Sequence, residues 1–247
     1  NGYDSFTYTV SDGTSQDTAT VTLTIGTPPL PALIADDFHA AALSGDWTVV
    51  NPQGATFSMG GDADDAFLRI ATGGGNYDLW GTTRNASRIM QEVTDEDFVY
   101  EARFLSKPVL GHQMQGFLIE EDDRNWIRFD MYSNGGGLYA FAALTVNGSS
   151  SVIARVAISD DVEYLRVARS GDTFTFLYST DGTSWSTAGT TTTPLEITKA
   201  GLFAGSVGAS SGLEMRVDYV QTAADPLLDE DLGYEPPPAP PVTMADA

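Results

Sequence analysis

A period of two runs through most of the chain, and no stretch shows the 3.6-residue period of an amphipathic helix. That pattern alone confines the fold to β-sheet, because alternate side chains of a strand point to opposite faces. It is clearest from Tyr164 to Gly189. Leu165, Val167 and Arg169 alternate with Tyr164, Arg166 and Ala168, and Ser170-Gly171-Asp172 then turns the chain. Phe174, Phe176 and Tyr178 alternate with Thr173, Thr175, Leu177 and Ser179. Asp181-Gly182 is a second turn, since glycine takes positive φ without a Cβ clash. Trp185 is assigned to the next strand. The three strands make an antiparallel meander with one buried face.

Similar segments recur at Trp47 to Val50, Ala55 to Met59, Phe67 to Ala71, Ser87 to Val93, Phe98 to Leu105 and Gln115 to Glu120. Further ones follow at Trp126 to Tyr132, Leu138 to Val146, Ser151 to Ile158, Ala200 to Val207 and Leu213 to Gln221. About a dozen short strands separated by turn residues predict an all-β fold, a two-sheet antiparallel β-sandwich. The sandwich is expected over residues 35–222. Before it, residues 1–26 read as a separate hairpin and 27–34, with three prolines, as a linker. After it, 223–247 is acidic and proline-rich without alternation and reads as a linker to another module. The same tail, with Leu227, Leu228 and Tyr234, could instead dock on the domain.

Charge narrows the partners. The net charge is -22, with 12 basic residues and none before Arg69. Nucleic acid and anionic membranes need clustered Lys and Arg, so neither is an expected partner. No apolar run approaches the roughly 18 residues that span a bilayer. Cysteine is absent, which is compatible with a secreted protein stabilised by core size or metal. The first residues lack the basic start and apolar block of a signal peptide, so the chain is expected to be a monomeric module cut from a longer one.

Two resemblances follow from particular residues. Phe6-Thr7-Tyr8-Thr9-Val10-Ser11-Asp12-Gly13, followed by the Thr-Val-Thr strand, resembles the end of bacterial cadherin-like tandem repeats. It implies an extracellular or cell-surface, multi-repeat parent. The second resemblance rests on Asp78-Leu79-Trp80, Gly116-Phe117-Leu118-Ile119, Asn125-Trp126-Ile127-Arg128-Phe129, the hairpin 179–185, Gly201-Leu202-Phe203-Ala204 and Val217-Asp218-Tyr219-Val220. In that order they resemble a concanavalin A-like jelly-roll module, of the DUF1349-like kind or the accessory sandwich of some glycoside hydrolases. The resemblance implies two curved sheets whose concave face often binds saccharides.

Candidate site residues come from strand parity. Ile127, Phe129 and Met131 make one apolar face, so Trp126, Arg128, Asp130 and Tyr132 share the other, expected to be solvated. An aromatic face for sugar C–H groups beside charged groups for hydroxyls is what saccharide binding needs. Arg103, with Glu101, is placed on the corresponding outward face of an earlier strand. Tyr139 belongs to the face it shares with Phe141, and Trp80, His112 and Gln115 are rim candidates. The bland reading is an Arg-Asp pair with tryptophan covering the core edge.

Catalytic arrangements are not found. The closely spaced acids of glucanases of this fold class have no counterpart, since Asp130 has no glutamate two positions away. No Ser-His-Asp set, nucleotide loop or zinc signature is present. The resemblance implies a structural calcium where first and last strands meet, with Asp218, Asp37 and Asp62 as candidate ligands; the acidic loops could equally be solvated charge. The turn at 179–185 resembles a sialidase Asp-box but lacks one residue of its spacing, and reads as a structural hairpin. The expected function is a non-catalytic module binding a polysaccharide or cell-surface glycan. A glycan hydrolase or lyase with an unfamiliar site, and a structural spacer of an adhesin, are the alternatives.

Overall fold

The computed structural model describes residues 2–25, 32–62, 65–208 and 212–227. It divides into two compact units, Asn1–Leu30 and Pro31–Ala247. Residues 27–31 of the expected linker, Ala63 and Asp64 of the expected acidic loop, and 228–247 of the expected tail lie outside the described residues.

The first unit is a hairpin of Gly2–Ser11 and Gln16–Ile25. The strands pair antiparallel with Phe6 opposite Val21 and Tyr8 opposite Ala19. Asp12 organises the turn. Its Oδ1 accepts the backbone N–H groups of Ser15 at 2.7 Å and Thr14 at 2.8 Å. These bonds favour the ionised carboxylate and lower its pKa to about 2.

The second unit is a sandwich of two antiparallel sheets. The seven-stranded sheet runs, in spatial order, Ser186–Thr192, Thr173–Ser179, Tyr164–Ser170, Phe98–Phe104, Glu214–Thr222, Phe67–Ala71, Thr56–Gly60. The eight-stranded sheet runs Ser149–Ile158, Leu138–Val146, Trp126–Ser133, Gln113–Glu120, Lys199–Val207, Ser87–Glu92, Thr48–Val50, with Asn76–Tyr77 pairing beside Lys199–Val207. Leu79–Trp80 and Thr83–Arg84 form a separate short ribbon. The three shortest pieces, between 76 and 84, are too short to show a period and are not legible as strands. Trp185 lies just before its strand. Its indole N–H donates to the carbonyl of Gly182 at 3.1 Å, under the guanidinium of Arg166 at 3.8 Å.

Parity builds the core. Tyr100, Ala102 and Phe104 from one sheet meet Phe117, Ile119, Ile127, Phe129 and Met131 from the other. The ring centroids of Tyr100 and Phe117 are 4.9 Å apart, and those of Phe129 and Phe176 are 5.3 Å apart. Each fully buried side chain of this size stabilises the fold by about 1.5–3 kcal/mol. The outer face of the eight-stranded sheet is also partly buried. Met90, Met114, Leu118, Trp126 and Phe203 form a second apolar cluster with Leu79 and Ala86, which the 78–86 segment supplies. A sheet buried on both faces needs apolar residues at both parities, and this is why the strand Gln113–Glu120 has no exposed residue.

The chain closes on itself at Asp36 and Val220, whose backbone groups exchange two hydrogen bonds of 2.9 Å. The Asp36 carboxylate accepts the indole N–H of Trp47 at 2.7 Å and the N–H of Phe38 at 2.8 Å. Burial raises its pKa despite those bonds. Phe38 is buried with φ 54, a left-handed conformation uncommon outside glycine.

Candidate functional site

The strand Trp126–Ser133 carries the centre of the site. Parity places Trp126, Arg128, Asp130 and Tyr132 on the outer face of the eight-stranded sheet, but the row is not solvated. Trp126 and Asp130 are 0% exposed and Arg128 is 3% exposed. The cause is the covering segment. Arg84 pairs with Glu120 above the end of this row, and Leu79 and Ala86 pack in the same cluster as Trp126.

Arg128 sits at the hub. Its Nε lies 3.1 Å from Asp130 Oδ2 and its Nη1 lies 3.8 Å from Asp78 Oδ1. Nη1 also donates to the carbonyl of Leu79 at 2.9 Å. The guanidinium carbon is 4.8 Å from the ring centre of Phe141 and 5.8 Å from that of Trp80. Asp130 has no accessible surface, and burial pushes its pKa up to about 7; Arg128 draws it down and Asp78 adds to the rise. Gly116 stands opposite Asp130 on the next strand. A Cβ there would lie 2.2 Å from the carbonyl of Phe129, so only glycine lets the strands approach this closely.

Beside this pair lies a connected aromatic surface. Centroid separations are 6.4 Å for Trp80 and Phe141, 5.6 Å for Phe141 and Tyr132, 6.4 Å for Tyr132 and Tyr139, and 6.0 Å for His112 and Tyr132. Trp80 is 40% exposed. The Tyr132 hydroxyl is 3.0 Å from His112 Nδ1. His112 has φ 63 and is pinned by its backbone: its N–H donates to Ser133 at 2.7 Å and its carbonyl accepts from Val207 at 3.1 Å. Together these groups open a cavity of about 240 Å³, walled by Trp80, Tyr132 and Phe141 with Asp78, Arg128, His112 and Arg155.

Of the residues named from sequence, Trp80, His112 and Arg128 therefore meet in one cavity, with Tyr139 adjoining. Asp130 lies beneath it and Trp126 is buried in the neighbouring cluster. Two others are elsewhere. Arg103 is on the outer face of the opposite sheet, bonded to Asp218 at 2.9 Å and Glu163 at 3.1 Å. The expectation that Glu101 and Arg103 share a surface with Arg128 is corrected, because strand order within a sheet is invisible to a period of two. Gln115 points between the sheets, where it accepts from the Ser106 hydroxyl at 2.8 Å and donates to the Ser106 carbonyl at 2.6 Å. Sequence reasoning did not single out Arg155. It stands opposite Phe141, next to a register shift at Ala142/Ala143 that breaks the simple parity count.

The candidate metal ligands are dispersed among other contacts. Asp218 is fully buried beside Arg103, Asp37 pairs with His39, and Asp62 is exposed beyond the strand Thr56–Gly60. Among the described residues no three His, Cys, Asp or Glu side chains are grouped so as to hold a metal ion. A further cavity of about 300 Å³ lies by Leu33, Val93 and Phe98. Its one cation, Arg169, is already committed to Asp95 at 2.5 Å, and its apolar walls offer no comparable aromatic row.

Residues 35–213 match the model of a family described as the beta xylosidase C-terminal concanavalin A-like domain. The chain belongs to this family. Solved structures similar to this concanavalin A-like domain include a mutant of the GH43 protein BlXynB of Bacillus licheniformis, at 18% identity and a TM-score of 0.64, covering 84% of this chain and 47% of that one. Another is a xylan beta-1,4-xylosidase of Bacillus halodurans, at 15% identity and a TM-score of 0.60, with 82% and 41% covered. A functionally unknown protein of Saccharomyces cerevisiae matches at 17% identity and a TM-score of 0.56, with 74% and 97% covered. At these identities the likeness is one of fold. The chain spans less than half the length of the two bacterial proteins. No curated protein matches the sequence. No helix among the described residues is long and apolar enough to cross a membrane.

Proposed function

We propose that the concanavalin A-like domain is a non-catalytic saccharide-binding module of a larger secreted or cell-surface protein, and that the sugar lies over Trp80, Phe141 and Tyr132. The observation that carries this reading is the connected aromatic surface bordering a cavity with Arg128, His112 and Asp78. Aromatic faces take sugar C–H groups, and fixed polar groups take the hydroxyls. Membership of the family described as the beta xylosidase C-terminal concanavalin A-like domain, and a structural neighbour named as a xylan beta-1,4-xylosidase, favour a xylan-type chain as the first ligand to try. In titration calorimetry with xylo-oligosaccharides, Trp80→Ala is expected to weaken binding about tenfold, the loss of roughly 1.4 kcal/mol, while the melting temperature stays within about a degree of wild type. Undiminished affinity in Trp80→Ala would sink this placement, and no binding to any glycan would sink the reading.

A hydrolase reading has one observation in its favour, the two unlike carboxylates Asp78 and Asp130 on one arginine. Asp130, with no accessible surface, is poorly placed to give a proton to a glycosidic oxygen. Turnover of xylan that vanishes in Asp78→Asn would nonetheless replace the non-catalytic reading.

Structural calcium remains a proposal for the junction of first and last strands. Asp37 and Asp218 are buried carboxylates close in sequence to the Asp36–Val220 bridge, one near each of its two residues. Each is already engaged, Asp218 by Arg103 and Asp37 by His39, so a calcium ion would have to draw both into an oxygen shell completed by backbone carbonyls and water. Chelation is then expected to lower the melting temperature by several degrees, matching the roughly 2.7 kcal/mol that a hundredfold excess over Kd supplies. Superimposable melting curves in chelator and in millimolar calcium would remove calcium from the account. The N-terminal hairpin is proposed, on its sequence resemblance, as the end of a cadherin-like repeat of the same parent.

A further inference from the structure

We infer that the saccharide accepted on this face bears an anionic substituent, a carboxylate of the uronic acid type, and that Arg155 is the group that recognises it. The inference rests on the saccharide-binding reading and goes on to name the ligand class.

The chain carries 34 acidic and 12 basic residues, so a guanidinium without a carboxylate is an exception in it. Most of its arginines are committed. Arg69, Arg103 and Arg166 pair with Glu214, Asp218 and Glu101. Arg124 has no carboxylate among the described residues, but it donates to the carbonyl of Asn147 at 2.9 Å. Arg155 has neither an ion pair nor a hydrogen bond among the described residues. Its only contacts of that kind are with rings: its guanidinium carbon is 4.2 Å from the centre of Tyr139 and 5.8 Å from that of Tyr132.

That arrangement seats the guanidinium against the two rings, with its N–H groups uncommitted to any acceptor among the described residues. A planar fork stacked on an aromatic platform meets a carboxylate bidentately and loses little rotamer freedom in doing so. Lysine, a flexible point charge, would not. Arg155 is exposed on the outermost strand, Ser149–Ile158, and lines the same cavity as Trp80 and Tyr132. Arg128, the other cation of the cavity, is in a different position. It is buried, and its charge is shared between Asp130 and Asp78. The cavity is thus polarised. Asp78 repels an anion on its side, while Arg155 lacks a counter-charge on the other. A sugar chain stacked on the aromatic row therefore places its acidic branch towards Arg155 and its neutral hydroxyls towards Asp78.

The test uses the whole chain and two probes that differ in one group. One is a xylo-oligosaccharide carrying a glucuronic acid branch; the other is the same oligosaccharide with that carboxyl reduced to the primary alcohol. Titration at about 0.15 M salt, where the Debye length is about 8 Å, removes most of the long-range repulsion from the rest of this anionic chain. The acidic probe is expected to bind at least about tenfold tighter than the reduced one, a step of 1.4 kcal/mol. In Arg155→Gln the ratio of the two affinities is expected to fall to about one, with Arg155→Lys intermediate. Arg124→Gln, which is not part of the cavity lining, should keep the wild-type ratio. Equal affinity for both probes in the wild type would overturn the inference and leave the saccharide-binding reading standing. Failure of both probes and of other glycans to bind would end both. A preference that persists in Arg155→Gln would overturn the assignment to Arg155. A sulfate ester replacing the carboxylate distinguishes the anion: tight binding of the sulfated probe with none for the uronate would overturn the carboxylate.

Discussion

Trp126→Ala is expected to lose about 3–5 kcal/mol of folding stability, while Trp80→Ala loses almost none. Both residues are tryptophans that sequence alone marks as ligand candidates, one in the strand Trp126–Ser133 and one in the short ribbon of Leu79–Trp80. Trp126, however, is 0% exposed and is packed with Leu79, Ala86, Leu118 and Phe203. Removing its ring leaves a cavity in close-packed surroundings, where the lost transfer energy and the cavity cost add. Trp80 is 40% exposed, and the exposed part of its ring is available to a ligand. Urea unfolding of the two variants measures the difference. A wild-type midpoint for Trp126→Ala would mean that the 78–86 segment does not cover it. Trp126→Phe should recover much of the loss, since the indole N–H has no hydrogen-bond partner among the described residues and its removal costs little.

Asp130→Asn is expected to gain stability relative to wild type as the pH rises. Burial lifts the Asp130 pKa to about 7 from its ordinary 3.8. Between those values the folded chain holds a proton that the unfolded chain has released. Its contribution to stability is fully present below the unfolded pKa and is lost as pH rises through the folded one. The shift corresponds to roughly 4 kcal/mol between the two limits, at about 1.4 kcal/mol per pKa unit. About three-fifths of it falls between about pH 5 and pH 8.5. Asparagine is close in shape to the protonated acid and does not titrate here. From about pH 5 to pH 8.5 the stability of the variant relative to wild type should therefore rise by about 2–3 kcal/mol. Other acids of this chain titrate in both proteins and cancel in the comparison. A stability difference that does not vary with pH would show that Arg128 holds Asp130 ionised throughout.

Much of the sandwich is legible in the amino-acid sequence because a strand reports its own parity. Phe98 to Phe104, Trp126 to Tyr132 and the meander from Tyr164 each announce an inner and an outer face, and the inner residues named by period are the ones found between the sheets. The turn at Asp181-Gly182 is equally local. Gly182 has φ 69, and the Asp181 carboxylate accepts the N–H groups of Ser184 at 2.6 Å and Thr183 at 2.8 Å. These bonds hold its pKa well below the usual carboxylate range. A fold class follows from such signals because each is settled within about ten residues.

The site is settled over longer distances. Parity puts Arg103 and Arg128 on outward faces, but which sheet each belongs to depends on pairings between strands far apart in sequence, such as Phe98–Phe104 with Glu214–Thr222. Gln115 has the polarity of a rim residue and the parity of a core one; the Ser106 backbone and hydroxyl satisfy it inside. Trp126 and Asp130 have outward parity but no solvent, because a segment from 78 to 86, about forty residues earlier in the chain, lies over that end of the sheet. Arg155 became visible only when Tyr132 and Tyr139 were found beneath it. The sequence by itself determined strands, turns, faces and the excess of negative charge, which are properties of neighbouring residues and of composition. Tertiary structure alone decided which outward residues are covered, which cations already have a counter-ion and which is left over. Those depend on contacts between residues that only folding brings together.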